Sequence, residues 1–274
     1  MGKVITFSNQ KGGVSKTSST HAVAVELAHR GNKVLVIDFD PSANISRNSR
    51  ADIEGVPTVL EWVAEAAEFE EVVQHIDYRL VHESLDYAQY DLVPSPAKRR
   101  LKHKGFIELL EQLAEPLLGL KAQIDKIIDL YDFVLVDTGP DLDLIPLNAL
   151  YAADEIAVPT TINKNAIDGM EDLADAIKEV RKMRPEVKVV GILVTQYRVI
   201  GTIYKDQDSD IKEASEKLNC PVFKTLIRSS LAVEEATRNR LDIMTYSQLP
   251  ACKNKNIADD YRAFVTEYLG GKYE

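Results

Sequence analysis

The sequence is poor in the residues that staple a fold or centre it on a metal. Only two cysteines, Cys220 and Cys252, occur in 274 residues. That is too few for a disulfide framework or a four-thiolate metal site, and a reducing compartment is expected. The five histidines, His21, His29, His75, His82 and His103, share no metal-ligand spacing and read as surface or packing residues. The single tryptophan, Trp62, lies among Val59, Leu60 and Val63 and reads as helix packing. No apolar run approaches the roughly 18 residues of a membrane span. The opening residues Met1-Gly2-Lys3-Val4-Ile5-Thr6-Phe7 enter a strand pattern directly, with no signal-peptide pattern. Positive charge is also short: 33 Lys and Arg face 43 Asp and Glu, for a net of -10. That balance excludes a DNA-coating protein by bulk charge, so any nucleic-acid contact must come from a local patch.

What is present is ordinary globular composition, 45% apolar and 28% charged, at a length that suits one large α/β domain or two small ones. No repeat or linker divides the chain, which favours one domain over residues 1–274. Short runs rich in Val and Ile predict strands at Val4–Phe7, Val34–Ile37, Leu92–Val93, Phe133–Val136, Ile156–Val158, Val189–Val194 and Val222–Ile227. Continuous apolar runs of this kind belong to strands covered on both faces, hence to a mainly parallel sheet flanked by helices. Helical spacing links Ile167, Met170, Leu173, Ile177 and Val180. Phe106–Leu113 and Leu120–Leu130 also read as helical, with Pro116 as a break between them. The alternation predicts a doubly wound α/β fold.

Charge is uneven. Arg50–Tyr90 carries ten acidic and two basic residues, Pro96–Gly105 five basic residues in ten, and Pro221–Lys255 six basic against three acidic. Solvated helix faces are the plain reading of such runs.

The informative stretch is Ser8-Asn9-Gln10-Lys11-Gly12-Gly13-Val14-Ser15-Lys16-Thr17-Ser18. A buried strand precedes it, and a helix pattern follows it as far as Gly31, a C-cap residue. Strand, glycine-rich turn, Lys-Thr and helix make a phosphate cradle. Glycines let backbone N–H groups converge on phosphate oxygens, and the helix N-terminus adds partial positive charge. In such a loop Lys16 neutralises the β- and γ-phosphates, and the Thr17 hydroxyl binds Mg²⁺. The standard G-x-x-x-x-G-K-[ST] pattern fails at Gln10 and Ser15, so a glycine-rich turn without a ligand stays open on the motif alone. Two other segments weigh against that. Asp38-Phe39-Asp40-Pro41 and Asp137-Thr138-Gly139-Pro140 both follow apolar strand runs. In a parallel sheet all strand C-termini share one edge, so Asp38, Asp40, Asp137 and the loop are expected together there. Carboxylates beside a phosphate site repel the ligand unless a cation such as Mg²⁺ lies between them.

Lys11-Gly-Gly-Val-Ser-Lys16-Thr resembles the deviant Walker A loop KGGxGK[T/S] of the ParA/MinD ATPases. Asp38-Phe-Asp40-Pro-Ser-Ala-Asn44 is similar to the ParA motif D-x-D-P-Q-G/A-N. Asp132–Pro140 followed by Asn148-Ala-Leu resembles the Walker B region, and Val222-Phe-Lys-Thr225 with Ile227-Arg228 resembles the start of a late ParA segment. The resemblance runs along nearly the whole chain and is closest to the Soj-like ParA partition ATPases. It implies a P-loop NTPase fold and slow, switch-like hydrolysis of ATP with Mg²⁺. Lys11, Gly12, Gly13, Val14, Ser15, Lys16, Thr17 and Ser18 then hold the nucleotide. Lys11 is the signature lysine reaching a partner's phosphates across an ATP-sandwiched homodimer. Asp40 positions the attacking water, and Thr17, Asp38 and Asp137 serve the Mg²⁺. Three departures stand out. Ser15 replaces a glycine, which costs ~1–2 kcal/mol if the backbone needs positive φ, or else offers a hydroxyl to phosphate. Gly139 replaces the first proline of the usual pair, and Ser229-Ser230 follow Arg228.

The resemblance further implies non-specific DNA binding by the ATP dimer, a ParB-like DNA-binding adaptor, and a cytoplasmic, nucleoid-associated protein. The chain starts at the first strand, so an N-terminal helix-turn-helix extension and operator binding are not expected. Arg228, Lys224, Arg238, Arg240, Lys253 and Lys255 are the candidate DNA-facing patch; ordinary surface charge is the alternative. A related ATPase that positions another cargo, such as a microcompartment or a chemoreceptor array, has the same sequence signature. A MinD-like membrane cycle needs a basic C-terminal amphipathic helix, whereas Asn256–Glu274 holds four acidic and two basic residues. The cysteines do not match an iron–sulfur ATPase, and no membrane contact is expected.

Overall fold

The computed structural model describes residues 2–78, 89–96, 103–141, 143–162, 164–198 and 204–270, with the backbone alone at 103, 164–169 and 204–210. His82, the side chains of His103 and Ile167, and most of the basic run in Pro96–Gly105 lie outside the described residues.

Among the described residues, seven strands form one sheet in the order β3-β4-β2-β5-β1-β6-β7. They are β1 (Lys3–Phe7), β2 (Val34–Asp38), β3 (Gln74–Ile76), β4 (Tyr90–Val93), β5 (Phe133–Asp137), β6 (Glu155–Thr161) and β7 (Lys188–Thr195). All neighbours are parallel except β3, which runs antiparallel to β4. Every residue of β2 and β5 is buried, as their unbroken apolar runs require under helices on both faces.

The helices follow in chain order as α1 (Lys16–His29), α2 (Asn44–Asn48), α3 (Val59–Val63), α4 (Phe69–Val72), α5 (His103–Glu111), α6 (Gly119–Ile127), α7 (Leu144–Ala152), α8 (Lys164–Met183), α9 (Tyr204–Leu218), α10 (Ala232–Arg238), α11 (Ile243–Tyr246) and α12 (Asn256–Tyr268). One apolar core packs α1, α11 and α12 on the sheet; another collects Trp62, Phe106, Leu120 and Ile124 from α3, α5 and α6; a third joins α8 and α9 to β6 and β7. Helix α1 ends as expected at Gly31, whose φ is 87°. Its N–H reaches the Ala28 carbonyl while Asn32 reaches Leu27, the paired closure that favours glycine. Pro116 falls between α5 and α6, and its carbonyl accepts from buried Asn148 at 2.7 Å.

Two strand expectations change. Strand β3 was not foreseen: three residues with one buried apolar side chain, Ile76, carry no periodicity to read. The strand expected at Val222–Ile227 is reduced to isolated bridges, Val222 with Ile192 and Arg228 with Tyr197. Between them the N–H groups of Lys224 and Thr225 turn to the Glu267 carboxylate on α12, at 2.7 and 2.8 Å, and the Thr225 hydroxyl joins them at 2.7 Å. Arg228 is bound the same way two turns earlier on α12. Its N–H, Nε and Nη2 donate to Asp260 at 3.0, 2.7 and 2.6 Å. Gly191 leaves room at the lower bridge, since a β-carbon there would lie 2.6 Å from the Phe223 ring.

Glu267→Ala should therefore orphan three donors and lower stability by about 1–3 kcal/mol, read as a lower urea midpoint. Glu267→Gln, which keeps an acceptor, should lose less; equal loss would show that the carboxylate's hydrogen bonds do not hold the segment.

Candidate functional site

Strand register builds the site. Phe7 of β1 and Asp38 of β2 both pair with Asp137 of β5, so the two aspartates stand side by side where three strands end. The loop of residues 8–15 leaves β1 at that point and runs into α1. Asn9, buried, fastens its start by donating to the Pro159 carbonyl at 2.8 Å and accepting from the Lys11 N–H at 2.9 Å. The buried Lys16 ammonium folds back to the Lys11 carbonyl at 3.0 Å. Thr195, at the end of β7, has its single hydroxyl hydrogen between the Thr160 carbonyl at 3.0 Å and the Val14 carbonyl at 3.1 Å. Gln196 donates to the Gly13 carbonyl and, at 3.2 Å, to the Ser15 hydroxyl. The Lys11, Gly13 and Val14 carbonyls thus face protein donors. Among the described residues, the N–H groups of residues 12–15 have no partner.

Ser15 has φ 64° and ψ 26°. The question its sequence position raises is answered: the backbone is left-handed there, and the serine carries the strain that a glycine avoids.

Asp38, Asp40 and Asp137 are all buried. Asp38 Oδ2 accepts from the Ser46 N–H at 2.8 Å and its hydroxyl at 2.6 Å. The Asp38 carboxylate thereby anchors the loop that follows β2. Asp40 Oδ1 accepts from the Ser42 N–H at 2.8 Å, and the Asp40 carbonyl accepts from Ser95 Oγ at 2.8 Å. Gly139 lies against Asp40, with room for a β-carbon 3.6 Å from Oδ1, and Pro140 lies against Gly12. Three loops therefore meet at one sheet edge.

Their charges are in tension. Burial drives Asp137 well above the ordinary carboxylate range; the Asp38 and Asp40 charges push it the same way, and Thr17 and Lys16 oppose. Burial raises Asp38 to about 6 against the pull of its Ser46 hydrogen bonds. Burial lowers Lys16, while Asp137, Asp40 and Asp141 hold it up. Asp137 Oδ2 is buried without a hydrogen-bond partner. A surplus of buried carboxylate oxygen around one lysine fits a hard cation taking oxygen ligands. Among the described residues no three His, Cys, Asp or Glu side chains form a ligand cluster, so the protein offers a hydroxyl and carboxylates rather than a closed cage. Thr17, hydrogen-bonded to Asp137, and Asp137 itself are the residues that could hold such a cation, with Asp38 paired to Asp137 on the neighbouring strand.

Beside Ser15 opens a cleft of about 430 Å³ walled by Gln196, Arg228, Ser230, Ile257 and Tyr261. A wider cavity of about 890 Å³, lined by Lys3, Glu155 and Tyr268, lies at the opposite sheet edge, away from the loop. Lys11 is exposed at the loop tip.

The six basic residues of the expected patch do not share one environment. Arg228 is tied to Asp260 in the wall of the smaller cleft, and Lys224 sits beside Glu267, two turns away along α12. Arg238 pairs with Glu234 at 3.8 Å, and Arg240, Lys253 and Lys255 are exposed. His21 is a packing histidine, buried and bonded to the Tyr90 hydroxyl at 2.7 Å.

The sequence reading missed Asn9, Ser46, Thr195, Gln196 and Asp260. Thr195 and Gln196 carried a usable signal, since they end a buried parallel strand at the same edge. Asp260 carried none, because an acidic residue on a helix face is ordinary.

The buried carboxylates give a pH dependence with a definite sign. Asp38 keeps its proton in the folded chain up to about 6, whereas the unfolded chain has lost it near pH 4. The folded state binds more protons across that interval, so stability falls as pH rises through it. Asp38→Asn should gain up to about 3 kcal/mol on the wild-type chain between pH 4 and pH 7.5 without nucleotide. Urea midpoints at both pH values measure this, and an equal gap at both would place the titration elsewhere.

Comparison with known proteins bears on the family and the fold. Residues 2–189 match the family model described as an AAA domain. The chromosome-partitioning ATPase Soj of Treponema pallidum is 31% identical over 247 residues, covering 90% of this chain and 90% of that one. The chromosome partitioning protein ParA of Myxococcus xanthus is 26% identical, covering 90% of this chain and 82% of its own. Among solved structures, an ATP complex of Cyanothece McdA superposes with a TM-score of 0.76 at 20% identity, covering 98% and 96% of the two chains. MinD of Pyrococcus horikoshii with Mg-ADP gives 0.72 at 19% identity, covering 100% and 99%; both likenesses concern the fold. The chain belongs to this AAA-domain family and, within it, to the ParA/MinD superfamily of P-loop ATPases, close to ParA.

Proposed function

We propose that this chain is a ParA-type partition ATPase: it binds ATP with Mg²⁺, pairs with a second copy, binds duplex DNA without sequence preference, and lets go when an adaptor of the ParB kind stimulates hydrolysis. The observation that carries this reading is the loop itself. Its carbonyls are turned to Lys16, Thr195 and Gln196, while the N–H groups of residues 12–15 are left for an anion at the N-terminus of α1. Bound with ATP, Mg²⁺ would neutralise charge on the β- and γ-phosphates. Thr17 and Asp137 would hold it, and Asp38 would add charge from behind. Lys16, already directed at the loop mouth, meets the phosphates. Ser18, on the first turn of α1, closes the cradle. Asp40, oriented by the Ser42 N–H, positions the attacking water. Lys11, at the exposed tip, reaches the second copy. The single domain over residues 1–274, the cytoplasmic location and the association with the nucleoid belong to the same proposal.

A membrane cycle is the weaker reading. The apolar side chains of α12, Ile257, Ala258, Tyr261, Phe264 and Val265, are buried, so this helix has no free face for a bilayer. No helix among the described residues is long and apolar enough to cross a membrane. A different cargo moved by the same cycle is the nearest alternative, and binding to DNA separates the two.

Lys16→Ala should abolish ATP binding in a fluorescent-nucleotide titration; near-normal affinity would sink the assignment of the loop. Asp40→Ala should keep ATP affinity but turn over at least tenfold more slowly, so that dimers accumulate in light scattering. Wild-type turnover would move the water-positioning role to another residue.

Affinity for non-specific duplex DNA should require ATP and fall steeply with salt, by a slope of about -0.9 in log K against log salt for each phosphate contacted. Arg240→Glu or Lys255→Glu should lower that slope. Arg228→Glu should act chiefly on nucleotide binding, because its guanidinium is held at the cleft by Asp260. Equal DNA binding with ATP, with ADP and with neither would remove the switch; no DNA binding in any state would favour another cargo.

A further inference from the structure

We propose that Gln196 is the positioning residue that keeps the phosphate loop in its anion-binding shape, by donating one amide hydrogen to the Gly13 carbonyl and the other to the Ser15 hydroxyl. The proposal rests on the reading of this loop as a nucleotide site and deepens it.

The geometry is unusual on both sides of the contact. Ser15 holds φ 64° and Gln196 holds φ 53°; neither is glycine, and each carries a β-carbon into the left-handed region, where it is disfavoured. Such positions persist only where the surroundings over-determine them. For Ser15 the surroundings can be named. Its side chain makes no cap bond to the α1 backbone, so the usual reward of a serine at a helix start is absent. What its hydroxyl receives instead is the Gln196 amide. The left-handed turn at Gln196 comes straight after Thr195, the last residue of β7, and brings the chain back over the loop. The Thr195 hydroxyl, shared with the Thr160 carbonyl, lies against the Val14 carbonyl, and Gln196 takes the neighbouring Gly13 carbonyl. Two consecutive carbonyls are drawn toward the end of β7, and the adjoining N–H groups are thereby left facing away from these donors, toward the mouth of the loop. A glycine at position 15 would reach this shape unaided. With serine there, the strand end supplies the restraint.

A terminal amide suits this task because it carries two donors at a fixed angle. Gln196→Met keeps the length of the side chain and removes both donors; Gln196→Glu keeps the shape and places an acceptor against the Gly13 carbonyl. Either should weaken Mg-ATP and Mg-ADP alike, by about tenfold, because the loop and not the γ-phosphate is disturbed. Ser15→Gly alone should bind at least as tightly as the wild-type chain. The deciding measurement is the double variant: with Ser15→Gly present, Gln196→Met should cost threefold or less, since the strain that Gln196 restrains has gone.

The experiment titrates fluorescent ATP and ADP analogues into the four chains, with urea midpoints measured in parallel. Where Gln196→Met gives no cooperative urea transition, Gln196→Glu carries the cycle. Rescue by Ser15→Gly supports the proposal. An unchanged affinity in Gln196→Met, or the same tenfold loss in the Ser15→Gly background, overturns it and assigns Gln196 no role or a direct contact with the nucleotide. Absence of nucleotide binding by the wild-type chain overturns the loop assignment itself, and the proposal with it.

Discussion

Everything at this site depends on one costly arrangement: three carboxylates buried beside a single buried lysine at the end of a parallel sheet. Without a ligand the charges do not balance. Asp137 keeps an oxygen that nothing satisfies, and Asp38 and Asp137 are held well above their ordinary titration range by burial. On the reading proposed above, a cation bound with its polyphosphate would remove that tension, and the loop N–H groups would meet the phosphate oxygens. The ligand's affinity and the protein's stability are then one quantity measured in two ways, because whatever binds only the folded chain stabilises it by mass action. Replacing one of these buried carboxylates therefore relieves the charge tension and weakens the site as a receptor for a cation.

The sheet edge was legible because its logic is general. Val34–Ile37 and Phe133–Val136 are unbroken apolar runs, so each had to be a strand covered on both faces. Once both were parallel, Asp38 and Asp137 had to share an edge with Lys16. The register bears this out residue for residue. Other features depend on partners far off in the chain. Val222–Ile227 has a strand's composition, but the N–H groups in its middle find Glu267, 42 or 43 residues on. The loop's outer restraint is written in Thr195 and Gln196, 181 residues after the atoms they hold. Ser15 was readable as a question alone: a non-glycine in a glycine's place, with the sign of φ left for the fold to decide.

Helix α12 ties these distant parts together. Asp260 near its start holds Arg228 in the cleft wall, and Glu267 near its end holds Lys224 and Thr225. Tyr261 meets Ser19 of α1 at 3.2 Å between them. The segment that resembles a late family motif is thus positioned by carboxylates on a helix as well as by backbone bonds to β7 and the residues after it. That explains why its composition alone could not say which way its basic side chains face.

The two margins of the sheet have a consequence for self-association. On one side β3 offers only three residues, running antiparallel. On the other, the outer rim of β7 meets a segment that bonds to it at intervals and spends its remaining N–H groups on α12. A long bare strand edge invites another chain to add on and grow without limit, and both margins here are blunted against that. Among the described residues, then, neither margin presents the long bare strand along which copies of a chain add one to another.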